Sequence, residues 1–166
     1  AGSGFDAFVI RRFNHLKAKG RTGRWLYPLS IIRSFFTYKS TGVKVYVDDK
    51  LVYNDLLFSM AVGICKYNGS GILQLPAAVA DDGLLDLTLI RPLHWWHIIF
   101  RLRKLFNGEI YQIGHVQHVQ GSRITVTSSP DMLLEVDGEL LGTTPLEFGI
   151  LHRAIKVIVS KEFLQE

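Results

Sequence analysis

Val43-Lys44-Val45-Tyr46-Val47 alternates apolar with more polar side chains, Asp49-Lys50 supplies turn residues, and Leu51-Val52-Tyr53 returns. A period of two sends successive side chains to opposite faces, so the stretch reads as a strand, a turn and a second strand. Further along, residues 56–64 read as a buried strand and 84–90 as another. Short strands follow at 115–120, 123–127, 132–136, 139–141, 146–150 and 155–159. Strands at this spacing, separated by turn residues, predict an antiparallel sandwich or barrel rather than a parallel sheet. Before Thr41 the text is helical: one helix from Phe5 to a Gly-rich break at 20–23, then a second over 28–38. A third helix is predicted over 92–106, with Pro92 near its first turn and Asn107-Gly108 ending it. The fold class is mainly β (α+β), an antiparallel β-sandwich with two or three helices, in one domain over residues 1–166. No internal repeat or low-complexity segment is visible.

With 166 residues, 48% hydrophobic and 20% charged, the chain can bury a core of its own. Its mean hydropathy is +0.17. The longest near-apolar run, 56–65, is about half of the roughly 20 residues a membrane-spanning helix needs. The N-terminus lacks a basic segment followed by an apolar one, so no signal peptide is expected. It also lacks an initiator Met, which suggests a fragment of a longer protein. Cys65 is alone and cannot form an internal disulfide; a reducing, cytosolic setting and a small buried side chain are expected. Residues 1–40 carry +7 and the remainder −3 of the net +4. Such a block favours an anionic partner: nucleic acid, a membrane surface or a phosphorylated ligand. No recognisable nucleic-acid motif accompanies it.

Two Asp-Gly corners carry the densest carboxylates: Asp81-Asp82-Gly83-Leu84-Leu85-Asp86 and Glu135-Val136-Asp137-Gly138-Glu139-Leu140. Taken locally, each reads best as a tight turn, for which Asp-Gly is the usual chemistry. The functional alternative is that Glu135, Asp137 and Glu139 repel one another and leave one of them a general base. At the first corner, irregular backbone around Pro76 can offer carbonyl oxygens to a hard cation such as Mg²⁺. Asn68-Gly69-Ser70-Gly71 matches no phosphate-binding fingerprint and reads as a flexible loop. The pairs His94/His97 and His115/His118 lack further ligands, so surface or interface histidines are expected. Residues 25–36 and 95–104 mix aromatics with cations; they read as core helices with basic edges, or as a membrane-surface contact.

In order, Asn68-Gly69-Ser70-Gly71, Leu75-Pro76-Ala77-Ala78, Asp81-Asp82-Gly83-Leu84-Leu85-Asp86 and Val136-Asp137-Gly138-Glu139 resemble the C-terminal half of the diacylglycerol kinase catalytic family. That family includes bacterial lipid kinases and the sphingosine and ceramide kinases. The resemblance covers about half the chain and implies the β-sandwich domain of a two-domain lipid kinase. The family's ATP-binding signature, Gly-Gly-Asp-Gly-Thr, is absent, so the N-terminal ATP-binding domain is expected to lie outside this chain. By resemblance Glu139, with Asp137 beside it, is the base that takes the proton of a lipid hydroxyl as it attacks the γ-phosphate of ATP. Asp82 binds a structural Mg²⁺ through its carboxylate, with the carbonyls of Val79 and Leu84 beside it. Gly4-Phe5-Asp6-Ala7 is similar to the segment where the family's chain enters this domain.

The implied cofactors are Mg²⁺ and ATP as co-substrate. The implied partners are a membrane lipid substrate and an anionic membrane surface, with a homodimer left open and nucleic acid not expected. The expected location is cytoplasmic, peripheral to the membrane. Two other readings stand beside this one: a non-catalytic lipid- or anion-binding β-sandwich, and an NAD kinase-like enzyme, against which the greasy helices argue.

Overall fold

The computed structural model describes residues 1–68, 71–94, 104 and 106–158. Along them run β1 (Gly2–Gly4), α1 (Phe5–Ala18), α2 (Leu26–Thr37), β2 (Thr41–Val47), β3 (Lys50–Leu57), β4 (Ser59–Gly63) and β5 (Leu85–Ile90). A 3-10 turn at Ile110–Gln112 is followed by β6 (Val116–Gly121), β7 (Arg123–Ser129), β8 (Leu133–Val136), β9 (Glu139–Thr143) and β10 (Leu146–Gly149). Every pairing is antiparallel. One sheet has the order β6-β5-β4-β1-β8-β9 and the other β10-β7-β2-β3.

The alternation in β2 works as its sequence predicts. Val43, Val45 and Val47 point inward and meet Met60 and Val62 of β4, Leu85, Leu87 and Leu89 of β5, and Ile124 and Val126 of β7 in one core. Each fully buried aliphatic side chain of this kind contributes about 1.5–3 kcal/mol. The turn after β2 falls on Asp48-Asp49, both with positive φ (47° and 65°), so that Val47 pairs with Lys50. Asp48 Oδ1 accepts hydrogen bonds from the backbone amides of Ser122 and Arg123, at 3.1 and 3.0 Å, tying this hairpin to the β6–β7 corner. The antiparallel sandwich with helices is the architecture expected from the pattern.

Several local expectations are overturned. The run 56–64 is not one strand. β3 ends at Leu57 in the four-stranded sheet, and β4 starts at Ser59 in the six-stranded one. The chain changes sheets at Phe58, whose ring stacks on Phe5 at 4.7 Å and packs beside Phe35 and Tyr38. Of the strand expected over 155–159, residues 155–158 form none, with Ile155, Val157 and Ile158 exposed, and residue 159 lies outside the described residues. Cys65 is exposed rather than buried, because the chain has left β4 and turned away from the core. β1 carries no sequence signal, since Gly-Ser-Gly has no β propensity. It is nevertheless a central strand, and a Cβ on Gly4 would lie 2.7 Å from the Phe58 carbonyl oxygen. Of the helix predicted over 92–106, Pro92, Leu93 and His94 are not helical; the rest, apart from Lys104 and Phe106, lies outside the described residues.

α2 is turned inside out relative to a core helix. Its buried residues are Ser30 and Ser34, while Leu29, Ile31, Ile32 and Phe36 are exposed, with Trp25 and Tyr27 at its start. Among the described residues no helix is long and apolar enough to cross a membrane.

Candidate active site

The second Asp-Gly corner is a two-residue hairpin turn. Asp137 and Gly138 have φ of 51° and 85°, Val136 pairs with Glu139 and Glu135 with Leu140. Such turns need positive φ at both central positions, which explains Asp-Gly here. Neighbouring residues on a strand face opposite sides of the sheet, so Glu135 and Glu139 cannot share a face. Glu139 and Asp137 are exposed, whereas Glu135 is 6% exposed and turned beneath α1. Glu135 Oε2 accepts the Gly138 amide hydrogen at 3.0 Å, closing the turn from below.

The first corner is less regular. The Asp82 amide donates to the Val79 carbonyl at 3.4 Å, and Asp82 Oδ1 accepts the Leu84 amide at 2.8 Å. One tight turn thus gathers the Val79 carbonyl, the Asp82 carboxylate and Leu84. Gly83 has φ +80°, and a Cβ there would lie 2.8 Å from His152 Nδ1, so the imidazole lies against the turn. Leu75 and Ala78 pack on Ala61 of β4 and pin the segment before the turn to the outer face of the sheet.

Register places both corners on the same rim. Asp86 of β5 pairs with Gly63 at the end of β4, Ala61 of β4 with Gly2 of β1, and Gly2 with Glu135 of β8. The start of β5, the end of β4, the start of β1 and the end of β8 therefore line one edge of the six-stranded sheet. β5 and β8 are three strand spacings apart, about 14 Å. The five positions named from the sequence fall into two groups on this rim: Val79, Asp82 and Leu84 in one turn, Asp137 and Glu139 in the other.

The family described as the YegS C-terminal NAD kinase beta sandwich-like domain matches residues 1–159. The chain belongs to that family. It is 27% identical over 146 residues to the diacylglycerol kinase of Bacillus subtilis (strain 168), covering 88% of this chain and 48% of that protein. It is 23% identical over 150 residues to a diacylglycerol kinase of Staphylococcus epidermidis (strain ATCC 12228 / FDA PCI 1200), covering 90% of this chain and 47% of that protein. Among solved structures, a diacylglycerol kinase from Bacillus anthracis str. Sterne superposes with a TM-score of 0.53 at 20% identity, over 66% of this chain and 39% of that one. A further structure from the same strain gives a TM-score of 0.60 at 23% identity, over 82% and 45%. These two likenesses show the shared sandwich fold. The chain spans about half the length of the curated relatives it matches.

The domain also makes polar contacts that its sequence alone did not bring forward. Asp6, in the first turn of α1, accepts a hydrogen bond from Gln74 Nε2 at 3.1 Å. Gln74 Oε1 accepts from Asn68 Nδ2 at 2.6 Å, and the Gln74 carbonyl accepts from Thr88 Oγ1 at 2.7 Å. Burial, and then the nearby Glu135 carboxylate, push the Asp6 carboxyl up to about 6, with hydrogen bonds from Gln74 and Ser59 opposing. Farther along the sheet Asp86, fully buried, meets His118 Nε2 at 2.6 Å and Gln120 Nε2 at 3.2 Å. His118 stacks on Tyr111 at 4.5 Å, so it is a packed, hydrogen-bonded residue rather than a surface histidine. No residue pattern within a single segment signals these contacts, because each joins segments far apart in the chain.

The donor set at the first corner fits a hard cation. It offers the Val79 carbonyl and the Asp82 carboxylate, each already accepting a backbone amide, and Mg²⁺ takes one or two carboxylates with water completing its shell. Among the described residues no group of three or more His, Cys, Asp or Glu side chains is assembled for a metal.

Proposed function

We propose that this domain is the acceptor-side half of an ATP-dependent lipid kinase. In this reading Glu139 accepts the proton of a lipid hydroxyl as that oxygen attacks the γ-phosphate of ATP, and Asp137 adds negative charge beside it. Phosphoryl transfer asks a protein mainly for positioning and charge neutralisation, so an exposed carboxylate on a rigid strand end is adequate chemistry. Asp82, with the carbonyls of Val79 and Leu84, would hold Mg²⁺, which supplies positive charge at that corner. ATP itself would be held chiefly by residues outside this chain. The observation that carries the reading is that both Asp-Gly corners lie on one rim of the six-stranded sheet. The names of the matched relatives supply the reaction class.

The inside-out α2 supports a membrane-resident substrate. Its exposed face presents Trp25, Leu29, Ile32 and Phe36 beside Arg24 and Arg33, with Arg11, Lys17, Lys19 and Lys39 exposed on neighbouring segments. Apolar side chains beside cations match an interface of acyl chains and anionic headgroups.

The test is ATP-dependent phosphorylation of lipid hydroxyls by the full-length protein and by its Glu139→Gln and Asp137→Asn variants. Loss of product in Glu139→Gln with folding intact is expected. Survival of activity through both changes refutes the assigned base, and a native protein that phosphorylates no lipid favours a binding module. Flotation with anionic against neutral vesicles tests the α2 surface: binding is expected to follow anionic lipid, and indifference to charge contradicts it.

A further inference from the structure

A buried carboxylate directly under the reactive turn has no role so far. Glu135 is the residue before the last of β8, on the face opposite Glu139, and its Oε2 holds the Gly138 amide at 3.0 Å. In a two-residue turn of this kind the ladder hydrogen bonds belong to the flanking residues, which leaves the amide of the second turn residue without a ladder partner. Glu135 supplies one. The approach is close because β1 contributes a glycine opposite it: a Cβ on Gly2 would lie 2.8 Å from Glu135 Oε1 and 3.4 Å from Asp6 Cβ. Asp6 is in turn bonded to Gln74, whose carbonyl holds Thr88 of β5, and whose side chain holds Asn68 ahead of the Gly-rich loop. Hydrogen bonds therefore link Asp6, at the start of α1, to the segment that leads into the Asp82 turn, and Glu135 lies near Asp6 across Gly2.

We infer that Glu135 is a positioning residue for the Asp137-Gly138-Glu139 turn, acting through the Gly138 amide. Its carboxylate is set by the close approach of Gly2 of β1, where a Cβ would displace it. Glu135 touches no reacting atom in this arrangement; it fixes the height and tilt of the turn that carries Glu139. The inference rests on the assignment of Glu139 as the base.

The experiment has an arm free of activity. In the native full-length protein, hydrogen exchange of the Gly138 amide is expected to be slowed at least about tenfold relative to an open turn amide, a lag that Glu135→Ala removes. In the kinetic arm, Glu135→Ala is expected to lower kcat about tenfold with KM for ATP within about twofold. Glu135→Gln, whose amide oxygen can still accept the Gly138 hydrogen, is expected to restore kcat to within about threefold of native. Gly2→Ala, which touches neither the turn nor the base but displaces the Glu135 carboxylate, is expected to imitate Glu135→Ala. It also serves as the second variant should Glu135→Ala fail to fold.

A Gly138 amide that exchanges at the open-turn rate overturns the inference, as does native kcat in both Glu135→Ala and Gly2→Ala. Equal impairment by Glu135→Gln and Glu135→Ala also overturns it. Failure of the base assignment looks different: Glu139→Gln would then keep its turnover while the Gly138 amide stayed protected.

Discussion

The two Asp-Gly corners are alike in sequence and unlike in construction. Asp137-Gly138 is a regular hairpin turn, both residues at positive φ, with carboxylates aimed by strand register and a buried glutamate beneath. Asp82-Gly83 is a local turn in which the carboxylate folds back onto the Leu84 amide and the Asp82 amide donates to the Val79 carbonyl. The first arrangement suits a group that must stand free at a chosen height, as a base must. The second suits a cation, which asks for several oxygens close together. On the proposed reading the same dipeptide serves either chemistry, and the surrounding backbone decides which.

The comparison can be broken at the metal side first. With Mg²⁺ at a hundred times its dissociation constant, native protein is expected to gain about 2.7 kcal/mol of stability, and Asp82→Asn little of that. Thermal unfolding with and without Mg²⁺ reads the difference, and an equal gain in both proteins would contradict the assigned corner. Next come the two glycines. Gly83→Ala strains a φ of +80° and drives into His152, so a cost of about 2 kcal/mol is expected. Gly138→Ala strains a similar φ but meets nothing within 4 Å, so about 1 kcal/mol is expected. Denaturant unfolding of the two variants that gave the reverse order would show that His152 does not pack on the turn.

The smallest effect concerns Asp6, whose carboxyl is pushed up to about 6 by burial and by Glu135. A carboxyl raised in the folded state adds stability that is full below about pH 4 and is lost as pH climbs through about 6. Because Asp6 is only half-buried, the loss is expected to be about 1 kcal/mol. Asp6→Asn should remove that slope between pH 4 and 6 in denaturant titrations, while a slope equal to the native one would place the effect elsewhere.

Much of this fold was legible because it rests on local period. β2, β5, β7 and β8 announce themselves by alternation or by apolar runs between turns, and α1 and α2 by the helical pattern before Thr41. β1 was not legible, because Gly2, Ser3 and Gly4 form a strand only where close approach of neighbours demands small residues. The change of sheet at Phe58 was hidden inside an unbroken apolar run, since both strands are buried and their spacing shows no seam. The two corners could be named from their residues. Their shared rim could not, because it depends on a strand order that crosses from β5 to β8 through β4 and β1. The nearness of Glu135 to Asp6 across Gly2 depends on that same order.

The central claim is that, of two glutamates four positions apart, the exposed one at the rim does the chemistry and the buried one holds it in place. Single-turnover phosphoryl transfer at saturating MgATP, in full-length protein carrying either Glu139→Gln or Glu135→Gln, tests it most directly. The expected result is a loss of at least about a hundredfold for Glu139→Gln and less than about threefold for Glu135→Gln. Native transfer in Glu139→Gln, or a heavier loss in Glu135→Gln, would contradict the account.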